Sequence, residues 1–191
     1  MSVREIVTIG DPVLRRRARE VTAEELRSAE LQRLIDDMIE TKRALDGAGL
    51  AAPQVAMGVR IALAEVEGKN PRYPYKPPIP LTVMVNPAIE PLDEETVEIN
   101  EGCLSVPDLR GSLSRHVKVR VRYLDREGNR REEVKRGLTA GTLQHEVDHL
   151  DGVLFVDRAD PRTLATWEQF ERHQREEFVA RITEFAARVG S

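Results

Sequence analysis

Residues 144–150 read Gln144-His145-Glu146-Val147-Asp148-His149-Leu150. His145 and His149 stand i, i+4. On a helix this spacing puts both imidazoles on one face, one turn apart, where they can share a metal ion. Glu146 follows the first histidine and can reach a water on that ion. Two ligands and an adjacent general base are the apparatus of metal-assisted hydrolysis. The alternative is a surface helix that carries two histidines by chance. The chain has only four histidines, which makes that the weaker reading.

A catalytic metal site needs a third protein ligand. A histidine six residues after His149 is one solution, but Phe155 stands there, although Gly152 fits the glycine that accompanies such a ligand. A glutamate nineteen residues after His149 is another, and Glu168 occupies that position. A zinc peptidase using His145, His149 and Glu168 is therefore one open reading. The other candidate lies upstream, in Glu101-Gly102-Cys103-Leu104-Ser105. Cys103 is the only cysteine. A lone cysteine is usually a small buried hydrophobe, yet Gly102 and the polar Glu101 and Ser105 do not read as a packed core strand.

A third block, Gly47-Ala48-Gly49-Leu50-Ala51-Ala52-Pro53-Gln54, is a glycine-rich turn when taken alone. The three blocks GAGLAAPQ, EGCLS and QHEVDHL, in this order and at these separations, resemble the peptide deformylases. The resemblance runs from Ile9-Gly10-Asp11-Pro12-Val13-Leu14-Arg15 to Phe155. It implies that Cys103, His145 and His149 are the metal ligands and that the ion is Fe²⁺, with Zn²⁺, Ni²⁺ or Co²⁺ also suited to one thiolate and two imidazoles. It implies removal of the N-formyl group from nascent formyl-methionyl polypeptides, releasing formate. Glu146 would be the proton carrier, and the Gln54 amide and Leu104 N–H the donors to the formyl oxygen. Ala48, Gly49 and Gly102 would bind the substrate backbone, with Gly49 allowing close approach. Asp148 is expected either to orient a ligand imidazole or to be a surface charge. Arg110 is expected to pair with Glu101. The chain departs from the family at Ala48 and Gly141, where larger residues are common, and at Ser114, where proline is usual. The first two predict a roomy methionine pocket that takes formyl-Phe within about tenfold of formyl-Met, unless side chains of the Pro-rich loop refill it.

At 191 residues, with 40% hydrophobic and 32% charged residues, the chain reads as one soluble globular catalytic domain, with 160–191 as a C-terminal helical extension. Its net charge of −4 gives no reason to expect specific DNA binding. One cysteine forms no internal disulfide, and the N-terminus lacks the apolar run of a signal peptide. No apolar stretch is long enough to span a membrane. These features predict a cytoplasmic protein.

The expected fold is α+β: mixed or antiparallel sheets packed around a central metal-binding helix, with an N-terminal and a C-terminal helix. A Thr22/Glu25 capping box starts a helix expected over Ala23 to Leu45. Val59 to Val66, Leu81 to Val85 and Thr96 to Asn100 read as strands, and Gly68 to Pro80 as a loop. Val117, Val119, Val121 and Tyr123 alternate with charged residues, which marks a half-buried strand whose basic side faces solvent. Asp125 to Gly128 turns it into Arg131 to Lys135. The central helix is expected to start near Gly137 to Thr139 and to stop at Gly152. Asp160-Pro161 is expected to open the last helix, with Leu164, Trp167, Phe170, Phe178, Ile182, Phe185 and Val189 along one side. In some relatives this segment docks at the ribosome.

Overall fold

A computed structural model describes residues 2–68, 70 and 73–190. The N-terminal helix is two helices, α1 (Ala23–Arg27) and α2 (Ala29–Ala44). The Thr22/Glu25 capping box is formed. The expected single helix breaks at Ser28, whose backbone is extended. Ser28 Oγ donates to the Glu25 carbonyl at 2.6 Å and accepts from the Leu31 N–H at 3.2 Å. One side chain thus serves the end of α1 and the start of α2.

Two antiparallel sheets follow. The larger has strand order β1-β2-β3-β6-β7, with β1 (Gly49–Ala51), β2 (Ile61–Val66), β3 (Ile79–Pro91), β6 (Lys118–Leu124) and β7 (Arg130–Arg136). The smaller has order β4-β5-β8, with β4 (Thr96–Cys103), β5 (Val106–His116) and β8 (Ala165–Thr166). The glycine-rich block is thus partly an edge strand rather than a loop. β5 carries no clear alternation in the sequence, because Pro107, Gly111 and three charged residues interrupt it. The expected loop is shorter at its end, since Pro80 lies inside β3; its Pro71 falls outside the described residues.

Every residue of β2 is buried. Ile61 and Leu63 pack with Leu34, Ile35 and Met38 of α2 on one face. Ala62 and Ala64 pack with Leu143 and Leu150 on the other. Those two leucines belong to α3 (Gly137–Leu150). Alanines on this face let the helix come close to the sheet. All of α3 is buried except His145 and Asp148, which are half-buried. Gly152 ends the helix at φ 77°, and a Cβ there would meet the Arg15 carbonyl oxygen at 2.7 Å, so glycine is required.

The expected last helix is corrected. Asp160 does cap the turn, its Oδ1 accepting from the Arg162 N–H at 2.9 Å, but only a single 3-10 turn follows. The chain then extends to pair β8 with Leu109 and Arg110 of β5. Helices α4 (Trp167–His173) and α5 (Arg175–Val189) come after it. Phe170, Phe178, Ile182 and Phe185 are buried against Ile99, Val117 and Leu138, whereas Leu164 is exposed. No helix among the described residues is long and apolar enough to cross a membrane.

Candidate active site

α3 presents His145 and His149 one turn apart, with ring centroids 5.0 Å apart. β4 ends at a register shift between Gly102 and Cys103, and the Cys103 thiol meets the helix there, with Sγ 3.2 Å from His149 Nε2. Ligand atoms from Cys103, His145 and His149 all lie within 4.8 Å of one another. One soft and two borderline donors in a buried setting fit a transition-metal ion and not Mg²⁺ or Ca²⁺. Burial opposes the Cys103 thiolate, but the neighbouring His149 and His145 outweigh it and bring the thiol down to about 5. A thiolate is the form that binds metal.

The supports differ from two expectations. His145 Nδ1 pairs at 2.8 Å with Glu101 Oε2, which leaves Nε2 for a metal. Glu101 is held by Arg115 through two contacts of 2.9 Å. Asp148 orients no imidazole; it pairs with Arg115 at 2.5 Å and Arg158 at 2.8 Å. Arg110 does not pair with Glu101. It sits across from Gly102, donates to Asn100 Oδ1 at 2.7 Å and to the Asn100 carbonyl at 2.8 Å, and lies against the rings of Trp167 and Phe170. Aromatic faces attract a guanidinium, so the second arginine, Arg115, is the one left for Glu101.

Glu146 is buried beside this group, and burial raises its pKa although both imidazoles oppose the shift. Its Oε2 has no hydrogen-bond partner among the described residues. Gly49 makes room for it, since a Cβ there would overlap the Glu146 carboxyl. The Gln54 amide is oriented by the Ala51 N–H, which donates to Oε1 at 2.9 Å. Its Nε2 therefore faces Cys103 Sγ, at 3.4 Å, and Ser105 Oγ, at 3.2 Å. Glu168 is not part of the group. Its side chain is 71% exposed and pairs with Arg172.

A cleft opens over the centre. It runs between β1 and β4, the edge strands of the two sheets. Ala48, Gly49, Gly102 and Leu104 line it together with Gln54, Cys103, His145 and Glu146. The Ala48 carbonyl accepts from the Glu65 N–H at 3.0 Å, and among the described residues no hydrogen bond uses the Ala48 N–H. The alternative that the Pro-rich loop fills the pocket fits Tyr73, Tyr75 and Lys76, which line the cleft although the sequence did not single them out, whereas Ile99, Leu138 and Thr142 were not expected there. The alternation of β4 could have flagged Ile99; nothing in the proline-rich segment marks Lys76. Ile99 fills part of the space left by Gly141, where a Cβ would stand 2.8 Å from Ile99 Cδ1.

Comparison with known proteins agrees with this arrangement. The family described as polypeptide deformylase matches residues 3–165. A peptide deformylase of Leptospira biflexa is 42% identical over 158 residues, covering 83% of this chain and 88% of the relative. A class I type b peptide deformylase of Acinetobacter baumannii, solved with Met-Ala-Ser bound, aligns at a TM-score of 0.79 and 43% identity, covering 83% of this chain and 99% of that one. Another structure of the Acinetobacter baumannii protein reaches a TM-score of 0.80 at 41% identity, over 84% of this chain and 100% of that one. The chain belongs to the polypeptide deformylase family, metal-dependent hydrolases that remove the N-formyl group from nascent peptides.

Proposed function

We propose that Cys103, His145 and His149 hold one divalent transition-metal ion, Fe²⁺ in the cell, with Zn²⁺, Ni²⁺ or Co²⁺ able to replace it. The observation that carries this is the convergence of the three ligand atoms beside a buried Glu146. When bound, the ion acidifies a water and polarises the formyl carbonyl.

The residues of the chain do the rest. Glu146 takes a proton from the attacking water and delivers it to the leaving amine; a carboxylate whose pKa is raised by burial is suited to both transfers. Gln54 Nε2 and the Leu104 N–H donate to the formyl oxygen as it gains charge. The cleft lies between two strand edges, which is the setting in which a peptide adds as an extended strand. Ala48 and Gly102 bind that strand through their main chains, and Gly49 leaves the space in which the Glu146 carboxyl stands to exchange its proton. A relative holds Met-Ala-Ser, and we place the corresponding product peptide in this cleft.

We further propose that residues 1–191 act as one catalytic domain, whose C-terminal segment is helical only from Trp167 on, and that the protein works in the cytoplasm. Contact with the ribosome would use the outer face of α5, because Phe178, Ile182 and Phe185 are committed to the protein's own core. Formate release from formyl-Met-Ala-Ser, before and after chelation, tests the function. Activity should vanish with the metal and return on re-addition. Cys103→Ala should lose metal and activity together while Glu168→Gln keeps both; the reverse result would restore the peptidase reading.

A further inference from the structure

Ala48, Ile99, Leu138 and Gly141 form an apolar part of the cleft lining, which on the deformylase reading takes the first side chain of a substrate. Among the described residues two cations line the cleft, Arg110, which is committed to Asn100, and Lys76. Lys76, from the segment between β2 and β3, places Nζ 2.8 Å from Thr142 Oγ1. Thr142 is buried on α3 and already spends its proton on the Leu138 carbonyl, at 3.0 Å. It therefore accepts from the ammonium. Lys76 Nζ also stands 4.9 Å from the centre of the Tyr73 ring.

Lys76 is held there by more than one contact. The Lys76 N–H donates to the Tyr73 carbonyl at 3.0 Å. Tyr75 next to it meets Phe178 of α5 edge-on, with centroids 5.2 Å apart. The ammonium has three donors. Among the described residues, Thr142 is the one hydrogen-bond acceptor of its Nζ. A cation in an apolar wall is costly unless its donors find partners. Desolvation by that wall pulls the Lys76 pKa down to about 8, against the fields of Glu101 and Glu146.

Resting on the deformylase reading, we propose that the Lys76–Thr142 pair makes the first-side-chain pocket select for side chains that end in a hydrogen-bond acceptor, so that formyl peptides beginning with methionine sulfoxide are substrates beside those beginning with methionine. The thioether of methionine is a weak acceptor. The sulfoxide oxygen is a strong one at nearly the same reach. Norleucine has the length of methionine and no acceptor, and is the control.

The test is kcat/KM for formyl-Met-Ala-Ser, formyl-norleucine-Ala-Ser and each epimer of formyl-methionine-sulfoxide-Ala-Ser, on wild type, Lys76→Met and Lys76→Arg. The quantity read is the sulfoxide-to-norleucine ratio within each protein, so a general loss from a disturbed loop cancels. For at least one epimer the ratio should fall about tenfold or more in Lys76→Met, the usual effect of losing a hydrogen bond to a charged group. It should recover in Lys76→Arg. An unchanged ratio in Lys76→Met overturns the proposal while leaving the deformylase reading intact. Failure of the metal-loaded wild type to release formate from formyl-Met-Ala-Ser overturns both.

Discussion

Gly49 and Glu146 occupy each other's space: a Cβ on Gly49 would lie within 2.5 Å of the Glu146 carboxyl carbon. One residue is on an edge strand and the other on the buried helix, 97 positions apart in the sequence. The fold presses them together only because position 49 has no side chain. Gly49→Ala should therefore push the carboxyl aside without touching a ligand. The variant should bind metal at the wild-type stoichiometry and lose on the order of 10²-fold in kcat, within the range of a displaced general base. Normal kcat would show that the carboxyl can move without consequence.

Glu101 is the hinge between the metal ligands and the scaffold, joining His145 to Arg115. Arg115→Met should free this buried carboxylate and weaken the hold on the imidazole. Metal affinity, measured by competition with a chelator, should drop about 10–100-fold. Stability should fall by about 3–5 kcal/mol, as for other buried pairs that lose one partner. Wild-type affinity in a destabilised protein would mean that Glu101 serves the fold alone.

The reading of α3 from sequence was secure because chemistry and period coincide in His145-Glu146-Val147-Asp148-His149. The hairpin after Leu124 and the stop at Gly152 were equally legible, since turn residues there have one conformational use. Ser28 was not legible as a break, because the apolar spacing continues through it and its double capping role needs three dimensions. Arg110 was expected to pair with Glu101, and Arg115 holds that place instead, because sequence gives no sign of which arginine the α4 aromatics will cover. Lys76 lies in a segment with no periodicity at all, and only packing brings it to the cleft.

Buried Lys42 and Glu65 form an ionic group behind Ala48 with the exposed Arg43, with Lys42 Nζ and Arg43 Nη2 each 2.7 Å from a Glu65 oxygen. The bond from Arg43, helped by Lys42 and opposed by burial, lowers the Glu65 carboxyl to about 2. A depressed carboxylate stabilises the fold above its ordinary pKa and loses that contribution as pH falls through its folded value. Wild type should thus lose on the order of 2–3 kcal/mol between about pH 5 and pH 2 from this group. Glu65→Gln should be less stable at pH 7 and lack this part of the acid-dependent loss, as denaturant midpoints across that range would record. Identical pH profiles for the two proteins would contradict the assignment.

The pocket is narrower than Ala48 and Gly141 alone imply, because Ile99 and the 73–76 segment line it as well. Wild type should prefer formyl-Met to formyl-Phe by more than about tenfold in kcat/KM, given 1–3 kcal/mol for each methylene of misfit. Ile99→Ala should narrow that gap. Equal rates for both substrates in the wild type would restore the roomy pocket expected from the sequence.

The most direct test of the whole account is Glu146→Gln, assayed at once for bound metal and for formate release from formyl-Met-Ala-Ser. The substitution keeps the size of the side chain and removes its capacity to take a proton. The account predicts about one metal ion per chain, as in the wild type, with kcat lower by about 10²–10⁴. A variant that keeps its metal and turns over at the wild-type rate would contradict it.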